Sequence, residues 1–351
     1  MGTKVHRTRR VKKRLGAVSG GRFWRIPLGS VLLVLVMSVS ALASGQAIVD
    51  DLLGVSFPNA REGWVCGRWG VIYHSADGGR TWLPQTTGIE ETLVSVFFFD
   101  SKNGWAVGDA GAVIHTKDGG KSWARQKAPV PKYYLMDVFF VSPTKGWIVT
   151  EKTHILATDN GGETWTVQFK DQDFILKAVS FSDPDNGWAV GEYGFTYHTT
   201  DGGAHWKLQA GSFGMDDMTG EVRAGNYLFG IAAVDAKRAW AVGIDGTVMK
   251  TADGGKTWNT VAVGAGRAPF SSVAADRSGT AVVIAGAEGL WVSTDEGKVW
   301  TRPSFQPPLG YKWFYRVAHR GDSSFTVVGM EGGIYQNGGA NPSAAWQQVG
   351  K

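Results

Sequence analysis

Cysteine is almost absent from this chain of 351 residues, and its single copy, Cys66, excludes an intramolecular disulfide. Cys66 follows an apolar residue in a predicted strand, so we expect a buried, unreactive thiol. The sequence also lacks the HExxH, GxSxG and P-loop patterns of zinc peptidases, serine hydrolases and nucleotide-binding enzymes. We therefore predict no metal site, no cofactor and no catalytic residue.

Acidic residues are missing from residues 1–43, which hold nine of the 36 Lys and Arg residues. The formal net charge of +5 comes from this segment; the remainder is net acidic, so no nucleic-acid partner is predicted. An apolar run over residues 26–43 ends in Ala41-Leu42-Ala43, which indicates an export signal cleaved after Ala43. An uncleaved membrane anchor is the alternative, since the run approaches the about 20 residues that span a bilayer. Residues 44–351 form the predicted folded domain.

Helical periodicity is also missing between the predicted strands, which excludes a TIM barrel. Short runs of alternating apolar residues occur instead, in a chain with 49 glycines and 16 tryptophans. Residues 104–123, GWAVGDAGAVIHTKDGGKSW, are the clearest unit. Two runs with a period of two are separated by a short turn, and Asp-Gly-Gly then allows a second reversal.

The end of this unit recurs along the chain as Ser/Thr-x-Asp-x-Gly-x-x-Trp, which we call the Asp motif. It occupies residues 75–82, 116–123, 158–165, 199–206, 251–258 and 293–300, with Asn160 replacing Asp once. An eroded seventh copy ends at Trp346. With one more apolar strand before each unit, the pattern predicts an all-β protein, a seven-bladed β-propeller with four-stranded blades.

The strand directions sort the loops onto two faces. The Asp-motif face carries the Asp-motif turns and the loops between first and second strands. The connection face carries the turns between second and third strands and the connections between blades. We expect the Asp motif to be structural, because its side chains can bind backbone groups in the turn while the Trp packs beneath it. Equivalent carboxylates around a ring do not converge on one substrate.

Candidate binding residues lie on the connection face and in the channel, where we expect any partner to bind. An acidic ring of turns is predicted from Asp109, Glu151, Glu192, Asp245, Glu288 and Glu331, and Arg68-Trp69 interrupts it. An insertion over residues 211–225 adds asymmetry. The predicted channel positions are Gly54, Ser95, Asp137, Ala178, Ile231, Ser272 and Arg316. The candidate partner-binding residues are Arg68, Trp69, Asp137, Lys177, Tyr315 and Arg316.

The units at residues 104–123, 187–206 and 239–258 follow GWAVG-x-x-G-x-[I/V]-x-x-T-x-DGG-K-[ST]-W most closely. In these units the chain resembles the photosystem II stability/assembly factor family over about residues 48–349. The resemblance implies a non-enzymatic scaffold. With the predicted export signal, we expect a monomer in the periplasm or thylakoid lumen. The resemblance also implies a membrane-protein partner, either a subunit like those of the photosystem II reaction centre or, in a host without photosystems, an envelope transporter. A sialidase-like glycoside hydrolase and a carbohydrate- or peptide-binding propeller stay open as alternatives.

Overall fold

The computed structural model describes residues 47–215, 219, 221–310, 312–321, 324–339 and 341–350. The predicted leader, residues 1–43, lies outside the described residues. Within the described ranges, no helix has the length and hydropathy needed to cross a bilayer.

The described residues form seven sheets around a central channel, all antiparallel apart from one parallel strand at the edge of blade 7, which confirms the predicted seven-bladed propeller. The strands of blades 1 to 3 are β1 (Leu52–Ser56), β2 (Gly63–Gly67), β3 (Ile72–Ser75), β4 (Leu83–Gln85), β5 (Leu93–Phe98), β6 (Gly104–Gly108), β7 (Val113–Thr116), β8 (Ala124–Arg125), β9 (Leu135–Phe140), β10 (Gly146–Thr150), β11 (His154–Thr158) and β12 (Thr166–Lys170). Blade 4 and the insertion after it contain β13 (Leu176–Phe181), β14 (Gly187–Gly191), β15 (Thr196–Thr199), β16 (Lys207–Ala210), β17 (Phe213–Met215) and β18 (Val222–Ala224).

The remaining three blades follow the same order. Their strands are β19 (Leu228–Ala233), β20 (Ala239–Gly243), β21 (Val248–Thr251), β22 (Asn259–Thr260), β23 (Phe270–Ala275), β24 (Val282–Gly286), β25 (Gly289–Ser293), β26 (Phe305–Gln306), β27 (Phe314–His319), β28 (Phe325–Gly329), β29 (Ile334–Asn337) and β30 (Trp346–Val349). Short 3-10 turns occupy Arg68–Gly70, Asp109–Gly111, Glu192–Gly194 and Met330–Gly332. The first strand of each blade is innermost and contacts the first strand of the next.

The Gly-Trp pair at the start of the second strand explains how neighbouring blades pack. A Cβ atom at Gly104 would overlap the ring of Phe98 from the same blade, so only glycine fits there. The ring of Trp105 is fully buried and stacks on Phe140 of the next blade at 3.5 Å. Trp64 stacks on Phe98 in the same way at 3.6 Å. The glycine thus makes room for an aromatic ring of its own blade, and the tryptophan fills the interface with the next blade.

Two elements depart from the four-strand pattern. Blade 6 is a three-stranded sheet, and its fourth strand is reduced to one bridge between Val292 and Thr301. The chain then forms β26, which pairs in parallel with β30 as a fifth strand of blade 7. The predicted insertion forms a separate two-stranded hairpin from β17 and β18.

The buried thiol of Cys66 agrees with its predicted core position. Its side chain is inaccessible to solvent, and Sγ donates to the carbonyl oxygen of Leu93 at 3.5 Å. Burial raises the pKa of the thiol, which disfavours the reactive thiolate.

Candidate functional site

Backbone hydrogen bonds confirm the sorting of loops onto two faces. On the connection face, the N–H of Gly111 in a turn between second and third strands donates to Tyr133 in a blade connection at 2.8 Å. On the Asp-motif face, the N–H of Gly119 donates to Lys102 in a loop between first and second strands at 3.0 Å.

The Asp-motif turns have the structural role that the sequence predicts. Ser75 Oγ accepts from the N–H of Gly79 at 2.7 Å and donates to Asp77 at 2.8 Å. In blade 2, Thr116 Oγ1 makes the same two contacts, with the N–H of Gly120 and with Asp118. Ser122 Oγ also donates to Asp118 at 2.6 Å. The side-chain and backbone hydrogen bonds from Ser122, together with that from Thr116, lower the pKa of Asp118 to about 2. Each carboxylate is thus ionised and bound within its own turn.

An ion pair crosses the central channel between Asp137 of blade 3 and Arg316 of blade 7. Arg316 Nη2 lies 2.7 Å from Asp137 Oδ1. Asp137 is only 1% exposed and also accepts from Ser95 Oγ at 2.7 Å and from the N–H of Val179 at 3.1 Å. Its carboxylate thus connects four blades, and Arg316 is the more accessible member of the pair.

Strand register corrects one predicted channel position. Gly54, Ser95, Asp137, Ala178, Ser272 and Arg316 share one position opposite the second strand, as expected. In blade 5 that position belongs to Gly230, which pairs with Val242, and not to Ile231. The strand begins at Leu228, one residue earlier than the apolar pattern indicates. Because strand side chains alternate, a slip of one residue changes the face on which a residue lies.

Arg68 and Trp69 lie together in the turn of blade 1. Trp69 has φ 59° and its residue surface is 72% exposed, so this large ring is presented to solvent. Arg68 Nε lies 3.2 Å from Asp51 Oδ2. Burial raises the pKa of Tyr315; Asp51 raises it further, whereas Arg68 opposes the shift. The structure therefore brings Arg68, Asp51 and Tyr315 into one electrostatic group.

Lys177 stands in a different part of the connection face, in blade 4. Burial lowers its pKa, and the nearby charge of Glu192 opposes that shift. Lys177 and Tyr315 each lie where the pairing register of an innermost strand shifts, immediately before the channel position. The six candidate residues thus form three groups: the cross-channel pair, Lys177 beside Glu192, and Arg68-Trp69 beside Tyr315.

The predicted acidic ring is divided between two turn positions. Asp109, Glu151 and Glu192 occupy the first residue of their turns, whereas Asp245, Glu288 and Glu331 occupy the second. Asp245 pairs with Arg267 at 2.9 Å, and Glu331 pairs with Lys312 at 3.2 Å. The ring is therefore less uniform in position and charge than the sequence indicates.

An aromatic cluster lies where the inserted hairpin meets blade 4. Phe213 lies 4.5 Å from the ring of Tyr193 and 5.4 Å from Phe174, and Tyr193 lies 5.1 Å from Tyr227. Phe213 is 47% exposed and Met215 is 67% exposed. The hairpin therefore adds apolar surface to the connection face, on the side predicted to be asymmetric.

A set of glutamines outside the predicted motifs connects adjacent blades. Gln126 Nε2 donates to the carbonyl of Gly161 in the next Asp-motif turn at 2.8 Å, and Trp165 Nε1 donates to Gln126 Oε1 at 3.2 Å. Equivalent contacts of Nε2 with the next Asp-motif turn are made by Gln85, Gln126, Gln168 and Gln209. Each of these four follows its Asp-motif Trp by three residues, so a repeated Trp-x-x-Gln pattern was the available signal. We call them the interblade glutamines.

Comparisons with known proteins agree with this architecture. A family model described as photosynthesis system II assembly factor YCF48 matches residues 43–130, 126–211 and 218–350. A structure described as YCF48 bound to D1 peptide has a TM-score of 0.66 and 21% identity, covering 83% of this chain and 93% of that chain. YCF48 from Cyanidioschyzon merolae has a TM-score of 0.65 and 20% identity, covering 83% and 96%.

A glycoside hydrolase shares the fold as well. The GH74 xyloglucanase from Xanthomonas campestris has a TM-score of 0.68 and 13% identity, covering 86% of this chain and 54% of that chain. At such identities, these solved structures are similar in fold alone. A search of curated proteins finds no match to the sequence.

Proposed function

Since this chain belongs to the photosystem II assembly factor YCF48 family, we propose that it is a non-enzymatic scaffold that binds a membrane-protein partner during complex assembly. The observation that carries the proposal is the asymmetric connection face, where Trp69 is 72% exposed in the turn between β2 and β3. Exposed aromatic and Arg residues are frequent anchors of protein interfaces. One of the similar structures is described as YCF48 bound to D1 peptide, which supports a polypeptide ligand.

Two features of the connection face fit such a partner. Arg68-Trp69 supplies a cationic and aromatic anchor, and the hairpin supplies Phe213 and Met215. Arg316 lies in the central channel, where it lines a pocket with the later halves of the innermost strands. The Asp-motif face repeats one turn from blade to blade and offers less variety for recognition. In a photosynthetic host the partner is a subunit like those of the photosystem II reaction centre; elsewhere it is an envelope transporter.

The hydrolase alternative has less support from the geometry. The Asp-motif carboxylates lie in separate blades and are bound within their own turns. Glycoside hydrolysis needs two carboxyl groups about 5–9.5 Å apart on either side of one bond. The GH74 similarity is a likeness of fold and identifies no such pair in this chain.

Affinity capture from detergent-solubilised membranes tests the proposal. A tagged chain should recover one membrane protein at stoichiometric yield, and Trp69→Ala should reduce recovery at least tenfold, as for an interface anchor. Alanine already occupies the equivalent left-handed position in blade 2, at Ala110 with φ 51°, so the turn should tolerate the change.

The matched control is the double variant Arg80→Ala/Lys121→Ala on the Asp-motif face. It should capture the partner as well as the unaltered chain does. Loss of capture in this control, with full capture by Trp69→Ala, would show that the other face binds. A glycan-array hit or cleavage of a sialoside, without a captured membrane protein, would favour the carbohydrate-binding or hydrolase alternative.

A further inference from the structure

Blade 6 leaves one position of its outer strand edge without a partner. Val292 and Thr301 exchange both backbone hydrogen bonds, at 2.8 and 2.9 Å, so the N–H and C=O of Val292 point away from β24. Because this direction alternates along a strand, the N–H and C=O of Leu290 point the same way. Among the described residues, neither group of Leu290 has a hydrogen-bond partner. Leu290 is also only 1% exposed.

Other blades fill the equivalent position from their own fourth strand. Ile72 pairs with Gln85 in blade 1, and the carbonyl of Val113 accepts from the N–H of Gln126 in blade 2. In each case the donor follows the Asp-motif Trp by three residues. In blade 6 that residue is Pro303, which has no N–H to donate. The chain departs at this point and joins blade 7 as β26.

A cavity of about 550 Å³ adjoins the vacant position. Leu290, Phe305 and Leu309 supply its apolar lining, and Arg302 lies at its edge. The guanidinium of Arg302 lies 4.8 Å above the ring of Trp291 and also donates to the carbonyl of Glu288. A volume in this range is typical of sites that hold ligands, about 300–1,000 Å³.

We propose that the gap in blade 6 binds an extended polypeptide segment. The side chains of Phe305 and Leu309, which now pack against Leu290, move aside so that the segment completes the sheet at Leu290 and places one apolar side chain in the cavity. The vacant position offers one donor and one acceptor on the same residue, and an extended peptide residue supplies the complementary pair. The inference rests on the proposed polypeptide-binding function and adds the conformation of the bound segment and its place in the fold.

The test uses the full chain and a positional-scanning library of fluorescent, N-acetylated, C-amidated hexapeptides. Anisotropy should identify hexapeptides with a preference for an aliphatic or aromatic residue at one position. N-methylation of the single amide that pairs with the Leu290 carbonyl should weaken binding at least tenfold. Methylation one residue away should have a smaller effect, because alternate amides point away from the pairing edge.

Two variants test the same site from the protein side. Pro303→Val restores the missing N–H and lets the chain's own strand occupy the edge, so hexapeptide binding should weaken at least tenfold. Leu309→Trp fills the cavity and should have a similar effect. The matched control is Leu208→Trp, on the exposed outer strand of blade 4, where the fourth strand is complete. It should bind hexapeptides as the unaltered chain does.

Amide hydrogen exchange supplies a measurement that needs no variant. The Leu290 amide should become protected when a hexapeptide binds, whereas the Ile72 amide should be protected throughout. The proposal is overturned if no hexapeptide binds, which would mean that water fills the gap. It is also overturned if neither N-methylation nor Pro303→Val changes hexapeptide binding. If the unaltered chain binds no hexapeptide, and capture of the membrane protein is lost in Trp69→Ala but kept in Pro303→Val, only this inference is overturned. Hexapeptide binding at Leu290 without any membrane partner would overturn the scaffold function alone.

Discussion

Trp105 lies between two rings, and this arrangement gives histidine a structural role in the blades. His115 stacks on one side at 4.5 Å and 5°, and Phe140 stacks on the other. His74 and His198 stack on Trp64 and Trp188 in the same way. The three histidines are therefore packing residues of separate blades, and their positions do not converge on one metal ion.

The first prediction concerns the pH dependence of stability. Burial lowers the pKa of His115 to about 4, with Lys117 adding to the shift and Glu163 opposing it. The unfolded chain binds a proton near pH 6.5 that the folded chain does not, so stability falls as pH falls from 6.5 towards 4. His115→Phe keeps the ring stack and should flatten this slope, measured as the urea midpoint between pH 7.5 and 4.5.

The surface variant Leu83→Gln, which removes no titratable group, is the control and should leave the slope unchanged. The measurements stay above pH 4, where Asp118 is still ionised. Its pKa is lowered to about 2, so protonation of Asp118 and loss of its turn contacts occur only at more acidic pH. An unchanged slope in His115→Phe would show that the folded chain protonates this histidine at its ordinary pKa.

The second prediction concerns the cross-channel pair. Arg316→Met leaves the buried Asp137 carboxylate without its cation and should lower the free energy of unfolding by about 3–5 kcal/mol. Asp137→Ser/Arg316→Met should be less destabilised, because Ser272 already fills the equivalent position and accepts from the N–H of Val317 at 3.2 Å. Urea unfolding of both variants gives the comparison. A double variant less stable than Arg316→Met would contradict this account.

At the scale of the element, a blade is completed by contacts with its neighbour. The interblade glutamines join the fourth strand of blades 1 to 4 to the next Asp-motif turn. Gln336 makes the corresponding contact from blade 7 to Gly78 at 2.9 Å. In blade 5 the sequence places Val261 at that position, and Lys250 Nζ reaches the carbonyl of Glu296 at 2.9 Å instead.

The third prediction follows from this contact. Gln126→Leu removes the acceptor of Trp165 Nε1 and one donor to Gly161, and should cost about 1–3 kcal/mol of unfolding free energy. The matched change is Val261→Leu in blade 5, where no such hydrogen bond exists to lose, and it should cost less. Equal losses in the two variants would show that side-chain volume, and not the hydrogen bonds, determines the effect.

At the scale of the whole molecule, the ring closes between blades 7 and 1 without exchange of strands. Blade 1 is built from β1 to β4 and blade 7 from β26 to β30, so neither takes a strand from the other end of the chain. The N–H of Gly332 donates to Asp50 at 2.9 Å, and the N–H of Glu331 donates to Asp51 Oδ1 at 3.1 Å. Ile48 is buried in the same junction. The residues just before β1 therefore belong to the folded domain.

The fourth prediction joins this closure to the leader. We propose that the chain is exported to the periplasm or thylakoid lumen and cleaved after Ala43, which would retain Ile48, Asp50 and Asp51 for closure. N-terminal sequencing of the mature protein should begin at Ser44. A start at Met1 or Gly2 in a membrane fraction would indicate the uncleaved anchor.

The fold could be predicted because the sequence repeats. Residues 104–123 already contain two strands, two reversals and a buried Trp, and their recurrence determines the number of blades. The burial of Cys66 likewise follows from its apolar surroundings. The limit is visible at Ile231, where one residue at the start of β19 changed the predicted face. A period of two has no tolerance for such a slip.

The sequence by itself determined the seven blades, the structural Asp motif and the two faces, because each depends on residues a few positions apart. Only the tertiary structure decided that Asp137 pairs with Arg316, 179 residues further along the chain. It also decided that Pro303 leaves Leu290 without a strand partner, because this depends on where the departing chain goes. Local periodicity specifies strands and turns, whereas contacts across the channel and between blades depend on the closed ring, which brings distant residues together.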